Sequence, residues 1–333
     1  MVEAVGSNRK KLLITETMPQ DAVALFAERD DVEAIPFPNA ISAADFASLL
    51  RHHAPVHGVA LGPTRFGAPE IAAAAGIEVV ARMGVGFDAI DVPTLTAARI
   101  PLMTTGIANS PSVAEAALFM MLALAKRGAA LDALVKAGEW HRRLGAIPFD
   151  LYGKTVLIVG FGRIGTRMAK RCLAMDMRVL VYDPYKTPGE VAAAGCRPAP
   201  DLDAALAGAD FVTLHCPKTT ETVRLFDATR LARMKPGAYL INTARGGIVD
   251  EAALHDALAA GRLAGAGLDV FDSEPPPAQN PLFRLDNVIV APHLAGVTHE
   301  ALHRMGMQTA RNILSVFDGE PIRANVVNPE SIA

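Results

Sequence analysis

Short apolar runs alternate with longer alanine-rich stretches along the whole chain. From Lys11 onward, β-rich runs at Leu12 to Thr15, Val56 to Leu61 and Val79 to Ala81 are separated by helical stretches such as Asp21 to Glu28 and Ala43 to Leu50. This alternation predicts an α/β fold with a parallel sheet. A second series follows at Thr155 to Val159, Val179 to Tyr182, Phe211 to His215, Ala238 to Asn242, Gly265 to Asp269 and Val288 to Ala291. Six strands suit a complete doubly wound sheet.

Between the series lies Ser112 to Lys126, read as a helix crossing between domains, with Ser112 and Glu115 at capping-box spacing. Some 100 residues stand ahead of that crossing, enough for a separate domain. The predicted boundaries are 1–105 for the first domain and 106–298 for the second. The amphipathic stretch Thr298 to Phe317 follows the sixth strand of the second sheet, and 299–333 is expected to return to the first domain. Pro275-Pro276-Pro277 marks a stiff loop.

Composition narrows the possibilities. At 333 residues, 51% hydrophobic and 20% charged, the chain has the make-up of two soluble domains with sizeable cores. A net charge of −3 gives no general basic field, so nucleic acid is not expected as a partner. Cys172, Cys196 and Cys216 are odd in number and lack CxxC spacing, which fits reduced thiols rather than a disulfide framework. No apolar signal core precedes Lys10-Lys11, and the longest helical apolar run, Ala116 to Ala125, is too short for a bilayer. A cytoplasmic protein without membrane contact is expected.

The chemistry begins where Thr155 to Val159 runs straight into Gly160-Phe161-Gly162-Arg163-Ile164-Gly165. Gly160 permits a tight turn, Gly162 lets the backbone approach a pyrophosphate, and Gly165 allows the next helix to pack closely on its strand. The N–H groups and dipole of that helix start favour the phosphates. Asp183 ends the next strand, 18 residues after Gly165, near the offset at which an acid receives ribose hydroxyls. Its carboxylate would repel a 2′-phosphate, so NAD is expected over NADP.

Three polar groups stand at the ends of later strands. Arg245 in INTARGG can hold a carboxylate bidentately. Glu274 lies in LDVFDSEPPP, and His293 in APHLAG is a natural proton carrier. Hydride transfer to the carbonyl of a 2-keto acid needs a carboxylate anchor, an acid for the forming alkoxide, and a group that keeps that acid protonated. Arg245, His293 and Glu274 supply these in that order, the Glu274 charge favouring the imidazolium form.

GFGRIG with Asp183, INTARGGIVDE (241–251), GLDVFDSEP (267–275), NVIVAPHLAG (287–296) and NSPSVAEAAL (109–118) together resemble the D-2-hydroxyacid dehydrogenase family over nearly the whole chain. The resemblance implies a Rossmann NAD-binding domain inserted into a flavodoxin-like substrate domain, and a homodimer. It marks 81–91 (ARMGVGFDAID) as a substrate loop, with Gly84 and Val85 offering backbone N–H groups to the carboxylate, glycines that also suit an anion nest. Asn109 would lie near the active site and Asp269 near the nicotinamide carboxamide. Arg163, Ile164, His215, Cys216, Pro217, Thr222, Thr243, Ala244 and Gly296 would join the three turn glycines and Asp183 around the cofactor. Ala116 and Lys218 depart from residues common in the family, which leaves the subgroup open. Arg82, the segment around Trp140 and the closing NVVNPE resemble phosphoglycerate dehydrogenases, with Arg82 and Arg65 as phosphate partners. Glyoxylate or hydroxypyruvate remains the alternative substrate.

Two rival readings stand beside this one. His299-Glu300-Ala301-Leu302-His303 satisfies the HExxH zinc pattern but has no convincing third ligand, so no metal is expected. A non-enzymatic NAD sensor would keep the fold but needs a partner-binding extension, and none is evident.

Overall fold

The computed structural model describes residues 9–333. The expectation that no targeting segment precedes Lys10 rests largely on residues 1–8, outside the described range. The chain divides into two compact units, residues 1–109 with 297–333 and residues 110–296.

Among the described residues, the strands of the first unit form a parallel sheet of five. These are β1 (Lys10–Thr15), β2 (Val32–Phe37), β3 (Gly58–Leu61), β4 (Val79–Arg82) and β5 (Leu102–Met103), in the order β2-β1-β3-β4-β5. That is the flavodoxin-like doubly wound order. Neighbouring residues of one strand enter different cores. Leu12 and Ile14 join one buried cluster and Leu13 the other, because successive side chains leave a strand on opposite faces and both faces are covered. The helix His299–Phe317 packs on the helix Gln20–Ala27 and on β3 and β4, so the end of the chain belongs to this unit.

The second unit carries β6 (Thr155–Val159), β7 (Arg178–Tyr182), β8 (Arg197–Pro198), β9 (Phe211–Leu214), β10 (Tyr239–Asn242), β11 (Gly265–Leu268) and β12 (Val288–Val290). Read from one edge, the order is β8-β7-β6-β9-β10-β11-β12, the Rossmann succession with one strand added beyond β11. All pairings are parallel. Every residue of β6 is buried, and its apolar residues alternate between two cores. The order reverses between β6 and β9, which opens a crevice at their C-terminal ends, where ligands bind in open α/β sheets.

Three strands lie outside the predicted set. β2 contains Pro36, which reads as a breaker, but it is an edge strand paired only with β1, where a missing N–H is tolerated. β5 and β8 have two residues each, too few for a pattern to register. The helix read as starting at Ser112 starts at Ser110, so Ser112 lies inside it and is buried rather than capping. Glu115, read as the other half of that cap, instead meets Arg171 at 2.7 Å. This helix, Ser110–Lys126, packs on β10, β11 and the helix Gly165–Ala174 within the second unit.

Candidate active site

The turn after β6 is dictated by what no side chain can occupy. Gly160 has φ +95°, and a Cβ there would stand 2.6 Å from Cys216 N. A Cβ on Gly165 would stand 2.0 Å from Gly160 O, so the helix Gly165–Ala174 can start this close to its strand only from glycine. Around Gly162 nothing lies within 4 Å of the same position, which leaves backbone open to an approaching group.

Asp183 at the end of β7 reaches back to this turn. One carboxylate oxygen accepts from Phe161 N (2.7 Å), the other from Tyr185 N (2.9 Å). The loop after β9 lies alongside. His215 N donates to Val159 O (2.8 Å), and its Nε2 pairs with Thr213 Oγ1 (3.0 Å). Its Nδ1 is sealed from solvent without a hydrogen-bond partner, and so is Thr243 Oγ1 after β10. Burial pushes the His215 imidazole down to about 3 and the Cys216 thiol up to about 11, so both are neutral near pH 7. Thr222 Oγ1 donates to Pro217 O and accepts from Thr219 N, both at 2.7 Å, closing the loop on itself. Arg163 O accepts from Arg167 Nη1 (2.8 Å), and Ile164 packs into the core beneath the turn.

Open backbone at Gly162, an acid at the end of β7 and two orphaned polar atoms on the flanking loops fit the pyrophosphate, ribose and amide groups of a dinucleotide.

The loops after β10, β11 and β12 interlock. Asn242, buried at the end of β10, donates to Arg245 O and accepts from Ala244 N, each at 3.0 Å. Arg245 Nη1 donates to Ala244 O (2.7 Å). A Cβ on Gly246 would fall 1.7 Å from Phe271 O, so glycine there lets the β10 loop lie against the β11 loop. His293 has the left-handed φ of +56°, held because its N–H donates to Asp269 O (2.8 Å) and the next two amides, of Leu294 and Ala295, bond the Asp269 carboxylate (2.8 Å each). So posed, His293 Nδ1 meets Glu274 Oε2 at 2.7 Å, while Glu274 Oε1 accepts from Phe271 N (3.1 Å). Both side chains are part-exposed.

Asp269 is 1% exposed, and burial raises its carboxyl above the ordinary value against the opposing pull of its backbone donors. The sequence pointed to a cofactor contact for Asp269, and in this structure both its oxygens also brace the His293 loop. That bracing role, and the clamp made by Asn242, escaped the sequence reading. The available signal was a polar residue closing an apolar strand. Gly296 ends the second unit, half-buried, next to the braced Ala295.

The remaining predicted residues belong to the first unit. Arg82 ends β4, with Nη1 donating to Met83 O and standing 3.5 Å from Leu61 O. Gly84 N, expected to face a substrate, donates instead to Arg82 O (2.9 Å), while Gly84 O accepts from Thr105 N (3.1 Å). Val85 is half-buried and Arg65 exposed. Asn109 Oδ1 is buried without a partner. In the HExxH stretch, Thr298 caps the helix and His303 Nδ1 lies 3.5 Å from Asp21 Oδ2. Among the described residues, no group of three or more His, Cys, Asp or Glu could hold a metal ion, and no helix is long and apolar enough to cross a membrane.

The family model for "D-isomer specific 2-hydroxyacid dehydrogenase, NAD binding domain" matches residues 118–295. The chain is 42% identical over 269 residues to a D-3-phosphoglycerate dehydrogenase of Archaeoglobus fulgidus, covering 81% of this chain and 50% of that one. It is 39% identical over 263 residues to a glyoxylate reductase of Korarchaeum cryptofilum, covering 78% of this chain and 79% of the relative. The chain spans about half the length of the curated phosphoglycerate dehydrogenases it matches. Among solved structures, D-lactate dehydrogenase of Aquifex aeolicus, complexed with NAD and lactic acid, superposes with a TM-score of 0.82 at 28% identity, covering 95% of this chain and 99% of that one.

Proposed function

The chain belongs to the D-isomer specific 2-hydroxyacid dehydrogenase family, and we propose that it interconverts a D-2-hydroxy acid and its 2-keto acid with NAD(H). The observation that carries this reading is the 2.7 Å contact of His293 Nδ1 with Glu274 Oε2, on loops at the C-terminal ends of adjacent strands in the dinucleotide-binding sheet. Bound at the turn, NAD(H) supplies or takes up the hydride. The turn glycines and Gly296 give it close backbone approach, Arg163 and Ile164 lie where its phosphates meet the helix start, and Asp183 takes the ribose. His215, Cys216, Pro217, Thr222, Thr243, Ala244 and Asp269 line the rest of its site.

In the reductive direction the proton sits on His293 Nε2 and passes to the forming alkoxide. Glu274 holds Nδ1 through a hydrogen bond of 2.7 Å, which fixes the ring. Arg245 binds the substrate carboxylate and draws charge toward the carbonyl. In the first unit, the amide of Val85, that of Gly84 after release from Arg82 O, and the Asn109 side chain are assigned to substrate, with Arg82 and Arg65 facing a phosphate where one is present. Because relatives are named for 3-phosphoglycerate and for glyoxylate, both are substrates to try, with hydroxypyruvate beside them.

A homodimer is part of the same proposal. The helix Gly128–Lys136 buries none of its residues, and Phe119, Val135, Trp140, Leu144 and Ile147 stand exposed along one stretch of chain, an apolar surface suited to a second copy. Three free thiols suit a reducing, cytoplasmic setting.

NADH oxidation should be followed with glyoxylate, hydroxypyruvate, pyruvate and bulkier 2-keto acids, and NAD reduction with 3-phosphoglycerate. Turnover with at least one is the expected result. Tight NADH binding with no turnover across the panel would overturn the enzymatic reading in favour of a cofactor sensor.

A further inference from the structure

Beyond Asp183, a second acid stands in the part of the second unit where ribose is expected. Tyr185 N donates to Asp183 Oδ1 (2.9 Å), and Tyr185 Oη donates to Glu221 Oε2 (2.8 Å). With the bond from Phe161 N to Asp183 Oδ2 (2.7 Å), this makes a continuous chain from the glycine turn through the β7 loop to the loop after β9. One tyrosine side chain therefore separates two carboxylates. Tyr185 is 78% exposed, so its ring is held by the Oη bond to Glu221 rather than by packing.

Lys186, next to Tyr185 in the chain, pairs with Glu190 (2.8 Å), and Lys218 Nζ lies over Gly247, where an added Cβ would come within 2.8 Å of it. Asp183 and Glu221 thus put two carboxylates on the loops after β7 and β9.

We infer that Glu221, held in place by Tyr185, is a second specificity-determining residue for NAD over NADP, acting with Asp183 to exclude a 2′-phosphate. Asp183 offers hydrogen-bond acceptors to an unmodified ribose, so replacing it affects both cofactors. Glu221 reaches the same region through Tyr185 and makes no bond of its own to the turn, so its charge matters only when the ribose carries a phosphate. In surface dielectric a like charge in the neighbourhood of a dianionic phosphate changes affinity by about three- to ten-fold, and salt weakens the effect. The raised Tyr185 hydroxyl, caused first by its hydrogen bond to Glu221, fits a tyrosine kept protonated as the donor.

The experiment is a fluorescence titration of the full chain with NADH and NADPH, with no substrate present. It rests on the NAD-binding fold and not on the proposed reaction, so a failure in the substrate panel would leave it standing. Glu221→Gln should strengthen NADPH binding by about three- to ten-fold while NADH changes less than about two-fold, and the gain should shrink as salt rises. Added to Asp183→Asn, it should give a further gain for NADPH alone. Tyr185→Phe, which keeps the Glu221 charge but frees its side chain, should give a smaller gain than Glu221→Gln. Unchanged NADPH affinity in Glu221→Gln, or parallel changes for both nucleotides, would overturn the inference.

Discussion

The turn after β6 and the loops after β11 and β12 sit on one sheet, yet they are made specific in opposite ways. The turn works by exclusion. At Gly160 and Gly165 any side chain would strike backbone, and at Gly162 the backbone stays open. The other loops work by connection, since Asp269, Glu274 and the amides of Phe271, Leu294 and Ala295 tie His293 into a left-handed pose. A site defined by exclusion fails when an atom is added, whereas a site defined by connection fails when an acceptor is taken away.

For cofactor binding, the largest effect should come from adding that atom. Gly165→Ala places a Cβ 2.0 Å from Gly160 O, and overpacking of this kind costs about 1–3 kcal/mol or more. The turn must open, so NADH affinity should fall at least about ten-fold in a fluorescence titration. Wild-type affinity in this variant would show that the turn is looser than its contacts imply.

Asp269→Asn tests connection, because the amide keeps one acceptor and presents a donor to a backbone N–H. A buried donor left unsatisfied costs about 1–3 kcal/mol. Lowered unfolding free energy and a fall of about ten-fold in kcat are expected. If kcat were untouched, the brace under His293 would have no part in turnover.

The smallest effect concerns pH and belongs to the flank of the turn. His215 is held at about 3 when folded against 6.5 as its reference value. Its folded value is depressed, so the stability it contributes is present above about 6.5 and is lost as pH falls from there toward about 3. Between about pH 7.5 and about pH 5.5 the wild type should lose roughly 1 kcal/mol more unfolding free energy than His215→Gln in urea titrations. Equal losses would show that the imidazole protonates without cost in the fold.

The two regions also differ in how far the sequence disclosed them. Exclusion writes itself into residue type, since only glycine satisfies those positions, and GFGRIG after an apolar run was therefore legible. Arg245, Glu274 and His293 were legible by kind and by position at strand ends. The pairing of Glu274 with His293 was read along with them, but the brace beneath His293 was not, because a hydrogen bond from Leu294 N to Asp269 spans 25 positions and leaves no local pattern. Gly84, whose N–H turns back on Arg82 two residues earlier, and Ser112, which carries a cap's chemistry inside a helix that Ser110 begins, were misread for a different reason, because residue type alone does not fix where a turn closes or a helix starts. The sheets emerged wherever strands were long and apolar. β5 and β8 are placed by their neighbours, and β2 is allowed its proline by its place at an edge.

The most direct test of His293 as proton donor is a paired measurement on His293→Ala, with kcat on the best 2-keto acid of the panel and the NADH dissociation constant taken on the same preparation. A loss of about 10²–10⁴-fold in kcat with NADH affinity within about two-fold of wild type is the expected result. Turnover close to wild type, or an equal collapse of NADH binding, would contradict it.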